Sequence, residues 1–455
     1  MRAGYLFQLI NLIVSILFVP LLLRYLTVGK YLLWSVFTTL GAVTVQLQNA
    51  IQYVSMRQIA YAHFSGVPSQ LLSAIHRTRT AYRRLLIIVV GPFYVVGLAY
   101  LILVAKPRLG ISGIPEWSVF VMAYAVTYHF APNNAILLGT MRVSTNNHIL
   151  SATRVLNFIG NYLALKAGLS IAGICLSFLA SQLVGAAAGA RQARGTLETG
   201  NFYRSTTGGS GVKATLGVQA NIRLYAIYMI ASFALYNGSL LLATALFPKS
   251  AVATYALGLQ SNTMLLALAQ VPVQVWLSRF VRAIASSDNS RVLRELSVTL
   301  VTCNGVFVGG FASLAIFGDL LLRLIGSHVM LPGIASLLVV SAAFLVELNI
   351  SLMINFLVNK GNYRFVRVYA VTSGIAILFG FMAASISGGF MLGLIAVPLI
   401  LQTTIALPSI MRITCTELRV TRKALVQSVG ASLVNLCRTG HFPHVPDVAR
   451  SGDGS

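Results

Sequence analysis

Charge is scarce in this sequence, and negative charge scarcer still. Only 9% of the 455 residues are Asp, Glu, Lys or Arg, where a soluble globular domain carries roughly 25%. With nine acids in the whole chain, no loop holds the paired carboxylates that would bind a divalent metal and a nucleotide sugar. No Gly-x-x-x-x-Gly-Lys-Ser/Thr motif occurs, so the reading is that the chain carries no ATPase of its own. Neither a selectivity-filter segment nor a stretch sufficient for a separate soluble domain is present. The four cysteines are equally uninformative: Cys175 and Cys303 sit in apolar runs, Cys415 and Cys437 in a polar tail. None has metal-ligand spacing, which excludes a zinc site or a disulfide framework. The reading is a non-enzyme without cofactor or metal.

What the chain has in quantity is apolar surface: 57% of its residues are hydrophobic and the mean hydropathy is +0.81. So apolar a chain cannot cover itself with polar groups in water. A membrane helix needs about 20 mostly apolar residues, because its backbone must be satisfied inside the segment. Twelve stretches qualify, at approximately 5–28, 31–52, 85–105, 117–139, 148–167, 169–190, 222–247, 250–276, 296–317, 331–357, 365–386 and 388–410. The first lacks a small-residue cleavage pattern before Arg24 and contains Pro20, so it reads as a span and not as a signal peptide.

The net charge of +24 would suggest nucleic acid in a soluble chain; here it reads as topology. Arg24, Lys30, Lys106, Arg108, Lys166, Lys249 and Arg323 fall at one set of loops and helix ends. The other 26 of the 33 basic residues collect on the alternate side, in 53–84, 191–221, 277–295, 360–367 and the tail, together with Arg2, Arg142, Arg154 and Arg223. The positive-inside rule then predicts cytoplasmic termini and a bacterial cytoplasmic (inner) membrane location. The central segment 191–221, with Thr206-Thr207-Gly208-Gly209-Ser210-Gly211, reads as a flexible linker. It divides a first bundle (1–190) from a second (222–410), with a cytoplasmic tail at 411–455. In the tail Leu425, Val429, Leu433 and Leu436 share one helical face, which suits a helix over 422–437 lying on the membrane.

The halves look duplicated. Tyr31 matches Tyr255, Asn133 matches Asn349, Asn146 matches Asn362 and Gly173 matches Gly389, in one order and at near-constant offset. Six spans per half gives both the same orientation, so the expectation is an all-α integral membrane protein of about twelve transmembrane helices. They form two six-helix bundles around a central cavity.

Polar side chains inside the spans mark candidate site residues, since they are costly in hydrocarbon unless partnered or facing water. Gln260, Thr263, Gln270 and Gln274 form a stripe on the eighth span; Gln46, Gln48, Asn49 and Gln52 crowd the second. His129 and Asn133 share a face of the fourth span around Pro132, and Arg154, Asn157 and Asn161 share one on the fifth. Arg24, Arg154, His129, Asn133, Gln260 and Gln270 are candidate substrate-binding residues. Glu347, near the middle of the tenth span, and His129 are candidates for proton coupling. A packing role competes in each case: interhelical hydrogen bonds for the amides, snorkelling for the arginines, an ion pair for Glu347. Two arginines against one glutamate predict a positively biased cleft, suited to an anionic, hydrogen-bonding solute.

The segments Gly29-Lys30-Tyr31-Leu32-Leu33-Trp34-Ser35, Met56-Arg57-Gln58-Ile59-Ala60, Leu138-Gly139-Thr140-Met141-Arg142-Val143-Ser144-Thr145-Asn146-Asn147 and Ala253-Thr254-Tyr255-Ala256-Leu257-Gly258-Leu259-Gln260 carry a family resemblance. The chain resembles the Wzx-like polysaccharide and O-antigen flippases of the multidrug/oligosaccharidyl-lipid/polysaccharide exporter superfamily. That likeness implies alternating access and transfer of an undecaprenyl-diphosphate-linked oligosaccharide between leaflets for surface polysaccharide assembly. It also implies membrane lipids and other polysaccharide-assembly membrane proteins as partners, with no nucleic acid. Arg24 would be a cavity arginine; the second and eighth helices carry glutamines where relatives place basic residues. Two rivals stand beside this reading. A membrane-embedded polymerase or ligase would need a large outer loop, and a drug exporter of the same fold would be expected to carry acids in its first or seventh span.

Overall fold

The computed structural model describes residues 2–64, 67–110, 113–198, 218–273, 289–325, 329–386 and 392–439. Among them no strand occurs, and each of the twelve predicted spans falls on a helix. In the first half these are α1 (Arg2–Tyr25), α2 (Val28–Phe64), α3 (68–109), α4 (Ile114–Gly139), α5 (Val143–Lys166) and α6 (Ser170–Glu198). The second half holds α7 (Val218–Leu246), α8 (Lys249–Ala269), α9 (Asn289–Ile325), α10 (Ile334–Lys360), α11 (Phe365–Ile386) and α12 (393–418). A thirteenth helix, α13 (Arg422–Thr439), follows. Eight of the twelve, namely all but α1, α4, α5 and α8, include a described stretch long and apolar enough to cross a membrane on length and composition.

Helix pairing repeats between halves, as the sequence matches predict. In the first, α1 packs on α5, α2 on α4, and both α4 and α5 on α6. In the second, α7 packs on α11, α8 on α10, and both α10 and α11 on α12. The halves meet where α2 lies along α7 and α8. Each is cored by aromatic rings. Trp117 and Phe120 pack on Phe37 in the first half, Tyr228 on Phe365 and Tyr369 in the second.

Three places differ from the predicted spans. Residues 53–84, expected as a loop, are mostly helix: α2 runs to Phe64 and α3 begins at Pro68. The reason is amphipathic spacing: Leu71, Ile75, Thr78 and Tyr82 bury one face of α3 while Arg77, Arg79, Arg83 and Arg84 stay exposed. Leu71 and Ile75 join Ile59, Ala135, Ile136 and Ala193 in a second core at this basic end. Cys415 is likewise no tail residue, because α12 continues to Leu418 and buries it. In α13 Leu425 is buried and Ser428 bonds Ser297 of α9 at 2.8 Å, so α9 covers one face. Leu433 remains 51% exposed. Of the linker expected at 191–221, residues 191–198 continue α6; 199–217 lie outside the described residues, as does Gln274.

Three π turns, Leu86–Val90 and Leu101–Ala105 in α3 and Gln402–Ala406 in α12, share one cause. Each ends two residues before a proline: Pro92, Pro107 and Pro408. A helical proline lacks an N–H and its ring collides with the carbonyl four residues back. That carbonyl belongs to Ile88, Leu103 or Thr404, the middle of each π turn. Widening the turn there relieves the collision without ending the helix.

Helix approach in the first half depends on Gly97. A Cβ added there would lie 2.0 Å from the Trp117 ring, whose indole N–H donates to the Tyr94 carbonyl at 3.2 Å. Gly97→Ala is expected to cost about 1–3 kcal/mol by overpacking. At Gly374, exposed on α11, an added Cβ would meet nothing within 4 Å, so Gly374→Ala should leave stability unchanged or slightly raised. Thermal unfolding of the two purified variants in detergent would separate them; equal midpoints would refute the packing argument.

Candidate functional site

A cavity of about 450 Å³ lies within the second half and against α2. On α10 it is lined from Phe344 to Asn359, one residue short of the helix end at Lys360. At 1.5 Å per residue that is a depth of about 22 Å, so the cavity runs from the basic end into the middle of the bundle. Its wall from α7 is a helical stripe: Tyr225, Met229, Ser232 and Tyr236. Thr263 and Gln270 of α8, Ser351 and Asn355 of α10, Asn237 of α7 and Gln46 of α2 add hydroxyls and amides.

Among the described residues, Glu347 is the one charged residue in this wall. It is 4% exposed, and hydroxyls on two neighbouring helices hold it. Ser232 of α7 donates to Oε1 at 3.1 Å, and Tyr369 of α11 donates to Oε2 at 2.8 Å. The ion pair considered from sequence is not what anchors it; both bonded partners are neutral. Gln270 also lines the cavity and donates to Ser351 at 3.1 Å, tying α8 to α10.

The remaining predicted residues lie elsewhere. Gln260 belongs to the seam between halves, at the end of the bundle opposite the basic one. Its Oε1 accepts from the Tyr31 hydroxyl at 2.9 Å and its Nε2 donates to Ser35 at 3.1 Å, both on α2. Nearby, the Tyr100 hydroxyl of α3 donates to the Leu241 carbonyl of α7 at 2.9 Å. These bonds join the halves at the seam end, while the cavity reaches the basic end.

Arg24 is exposed near that seam end, its guanidinium 5.7 Å from the Tyr25 ring centre. His129 is exposed on α4, on the same face as Met122. Arg154 is exposed on α5 near the buried Tyr124. The bonds Thr127–Gln182 and Asn157–Ser181 set the register of α4 and α5 on α6. That register puts His129 and Arg154 at one depth, but no bond joins them among the described residues. Asn133 is half-buried on α4. None of Arg24, Arg154, His129 or Asn133 lines the cavity around Glu347. Among the described residues this wall holds one carboxylate and no cation.

Sequence reading missed Ser232, Tyr236 and Tyr369, because hydroxyls inside apolar helices are common and individually unremarked. The available signal was spacing: Tyr225, Met229, Ser232 and Tyr236 recur at the helical period on α7.

No protein-family model and no curated protein sequence matches the chain. Solved structures do. An inward-facing multidrug-resistance MATE family transporter of the MOP superfamily superposes with TM-score 0.69 at 11% identity, over 92% of this chain and 96% of that one. The lipid II flippase MurJ in an inward closed conformation gives TM-score 0.60 at 12% identity, over 96% and 91%. A Vibrio cholerae MATE transporter gives 0.57 at 14% identity, over 92% and 98%. With its twelve helices paired as two six-helix bundles, the chain has the fold that these MATE transporters share with MurJ.

Proposed function

We propose that this protein is an alternating-access flippase for an undecaprenyl-diphosphate-linked oligosaccharide. It would carry that lipid from the cytoplasmic to the periplasmic leaflet of a bacterial inner membrane, for surface polysaccharide assembly. The observation that carries this reading is the cavity lining. Gln46, Asn237, Thr263, Gln270, Ser351 and Asn355 offer donors and acceptors suited to sugar hydroxyls, with the Tyr225, Tyr228 and Phe233 rings beside them. Positive-inside charge makes the basic end cytoplasmic, so a cavity at that end below a bonded seam is the inward-facing state of the cycle.

The diphosphate needs cations, and the cavity mouth supplies them. Leu224 and Lys360 adjoin the lining residues Tyr225 and Asn359. They also border a neighbouring crevice of about 590 Å³ that includes Arg364 and one carboxylate, Glu417, which accepts from the Asn362 amide. In this reading the sugars occupy the cavity while the diphosphate stays at headgroup depth beside Lys360 and Arg364. Glu347 is the protonatable group that couples the cavity to the helices around it.

An exporter of organic cations is the second reading, favoured by a carboxylate amid the Tyr228, Tyr236 and Phe344 rings with no cation among the described lining residues. Against it, both Glu347 oxygens already accept hydroxyl bonds from the bundle.

Reconstitution into liposomes with labelled undecaprenyl-diphosphate oligosaccharides tests the assignment through leaflet exposure. Wild type should flip the lipid, and Glu347→Gln should slow it by about tenfold or more, roughly 1.4 kcal/mol on the barrier. Arg24→Ala should change the rate less, since Arg24 lies outside the cavity wall. Absence of protein-dependent flipping across several glycans, with uptake of a lipophilic cation dye instead, would replace this reading with the second.

The seam gives a separate expectation. Gln260→Ala removes two interhelical bonds worth about 0.5–1.5 kcal/mol each, and should shift the equilibrium toward opening at that end by about five- to 150-fold. Tyr31→Phe, which removes one bond, should shift it less. Hydrogen–deuterium exchange at 28–36 and 255–262 in nanodiscs reads both; unchanged exchange in Gln260→Ala would mean that the bonds do not hold the seam.

A further inference from the structure

Gln402, which opens the π turn of α12, is fully buried, and neither its Oε1 nor its Nε2 has a hydrogen-bond partner. Ser373 of α11, 1% exposed, likewise leaves its hydroxyl unpartnered. Buried side-chain amides are nearly always paired, and inside a membrane bundle no bulk water stands in for a missing partner. The two residues are neighbours by register. Gly380 of α11 abuts Gly393, Leu394 and Pro398 of α12, so Ser373, two turns nearer the basic end, falls opposite the π turn, which packs on α11.

Glu347 stands at the same depth. Asn362, just past the end of α10, bonds Glu417 of α12 at 2.9 Å. Glu347 precedes Asn362 by 15 residues and Gln402 precedes Glu417 by 15, which is about 22 Å along either helix at 1.5 Å per residue. The π turn of α12 packs on α10 as well as on α11, and Tyr369, which holds Glu347, lies one turn from Ser373 on α11. The ionisable side chains that face Glu347 are Tyr228 and Tyr236 of α7 and Tyr369 of α11; among the described residues α8, α9 and α12 bring none to it.

An ionised carboxylate only accepts, and both Glu347 oxygens do so, from Ser232 and Tyr369. A protonated carboxyl offers one donor beside one acceptor, and a primary amide offers the reverse. The two match in a pair of parallel bonds, carboxyl O–H to Oε1 and Nε2–H to the carbonyl oxygen. Gln402 could engage the ionised form through one atom and the neutral form through both. We propose that Gln402 is the positioning residue that receives the Glu347 carboxyl once it is protonated, a role that rests on Glu347 as the protonatable group. The proton comes from water in the cavity that Glu347 lines, while Ser232 and Tyr369 keep their own. Turning to Gln402, the carboxyl exchanges its bonds to α7 and α11 for bonds to α12. α7, which carries the cavity stripe and packs on α2, then keeps the Tyr236 bond to the Ala343 carbonyl at 3.3 Å but loses the one from Ser232.

The test uses the full-length protein in nanodiscs over a pH series. Infrared difference spectra give the carbonyl stretch of the protonated Glu347 carboxyl, assigned by its absence in Glu347→Gln. In Gln402→Leu and Gln402→Met the band should move to higher wavenumber, because the carboxyl loses both amide bonds; a packing role for Gln402 would leave it in place. Hydrogen–deuterium exchange at 225–236 should rise several-fold on acidification in wild type and stay level in both Gln402 variants. Circular dichroism and gel filtration check that the variants fold, and the near-isosteric Gln402→Met serves if Gln402→Leu does not. A band that keeps its position in the folded Gln402 variants, or an undiminished rise in exchange there, overturns the pairing and leaves Glu347 as the protonatable group. Absence of any pH-dependent band that Glu347→Gln removes overturns that assignment and the pairing with it.

Discussion

A polar atom in the hydrocarbon region must find its partner within the protein, and most of this structure follows from that requirement. Serine and threonine hydroxyls satisfy it locally by donating to carbonyls three or four residues back, as Ser35, Thr44, Thr127 and Thr244 do. Amides also donate to the carbonyl four residues back, as Asn262, Asn304 and Asn349 do, but their further donors and acceptors, like the carboxylate, reach across helices. Asn304 and Asn349 exchange two bonds at 2.9 Å between α9 and α10. Asn262 accepts from Ser341, and Glu347 draws hydroxyls from α7 and α11. These bonds fix which helices lie side by side. The cavity is what remains where they do not close the bundle.

Duplication supplies the frame, and departures from it supply the mechanism. Tyr31 and Tyr255 match in sequence and stand early in α2 and α8, yet their hydroxyls do different work. Tyr255 donates to Ser239 within its own half at 2.9 Å, whereas Tyr31 donates across the seam to Gln260. Asn349 is locked into the reciprocal pair with Asn304, while its match Asn133 is half-buried on α4. Asn362 donates to Glu417 at 2.9 Å; Asn146 is buried after the equivalent turn. Because both halves have the same orientation, their twofold relation runs along the bundle and leaves its two ends distinct, so Tyr31 and Gln260 seal one end while the other stays open.

The prolines show how far local rules reach. Pro92, Pro107 and Pro408 each follow a π turn at fixed spacing, which the missing N–H and the ring collision explain. Pro132 in α4 produces no π turn, so a proline sets the local demand and the neighbouring helices decide how it is met.

Span number, helix pairing by duplication and the basic end were legible in the sequence, because each depends on composition or order along the chain. Gln270 and Glu347 were legible as site residues for a similar reason: a costly side chain in an apolar helix must have a use. Legibility stopped at direction. Gln260 and Gln270 stand on one stripe of α8, yet one seals the seam and the other faces the cavity, since different helices cover α8 at different depths. Arg24 and Arg154 carried the expected charge but lie outside the wall around Glu347, and hydroxyls on α7 and α11 that no motif marks hold that carboxylate. The sequence by itself determined how many helices form and which are repeated, through hydrophobicity and spacing acting locally. Which polar groups meet, and hence where the cavity and the seam lie, was decided only by tertiary packing, because those partners are brought together by helices far apart in the chain.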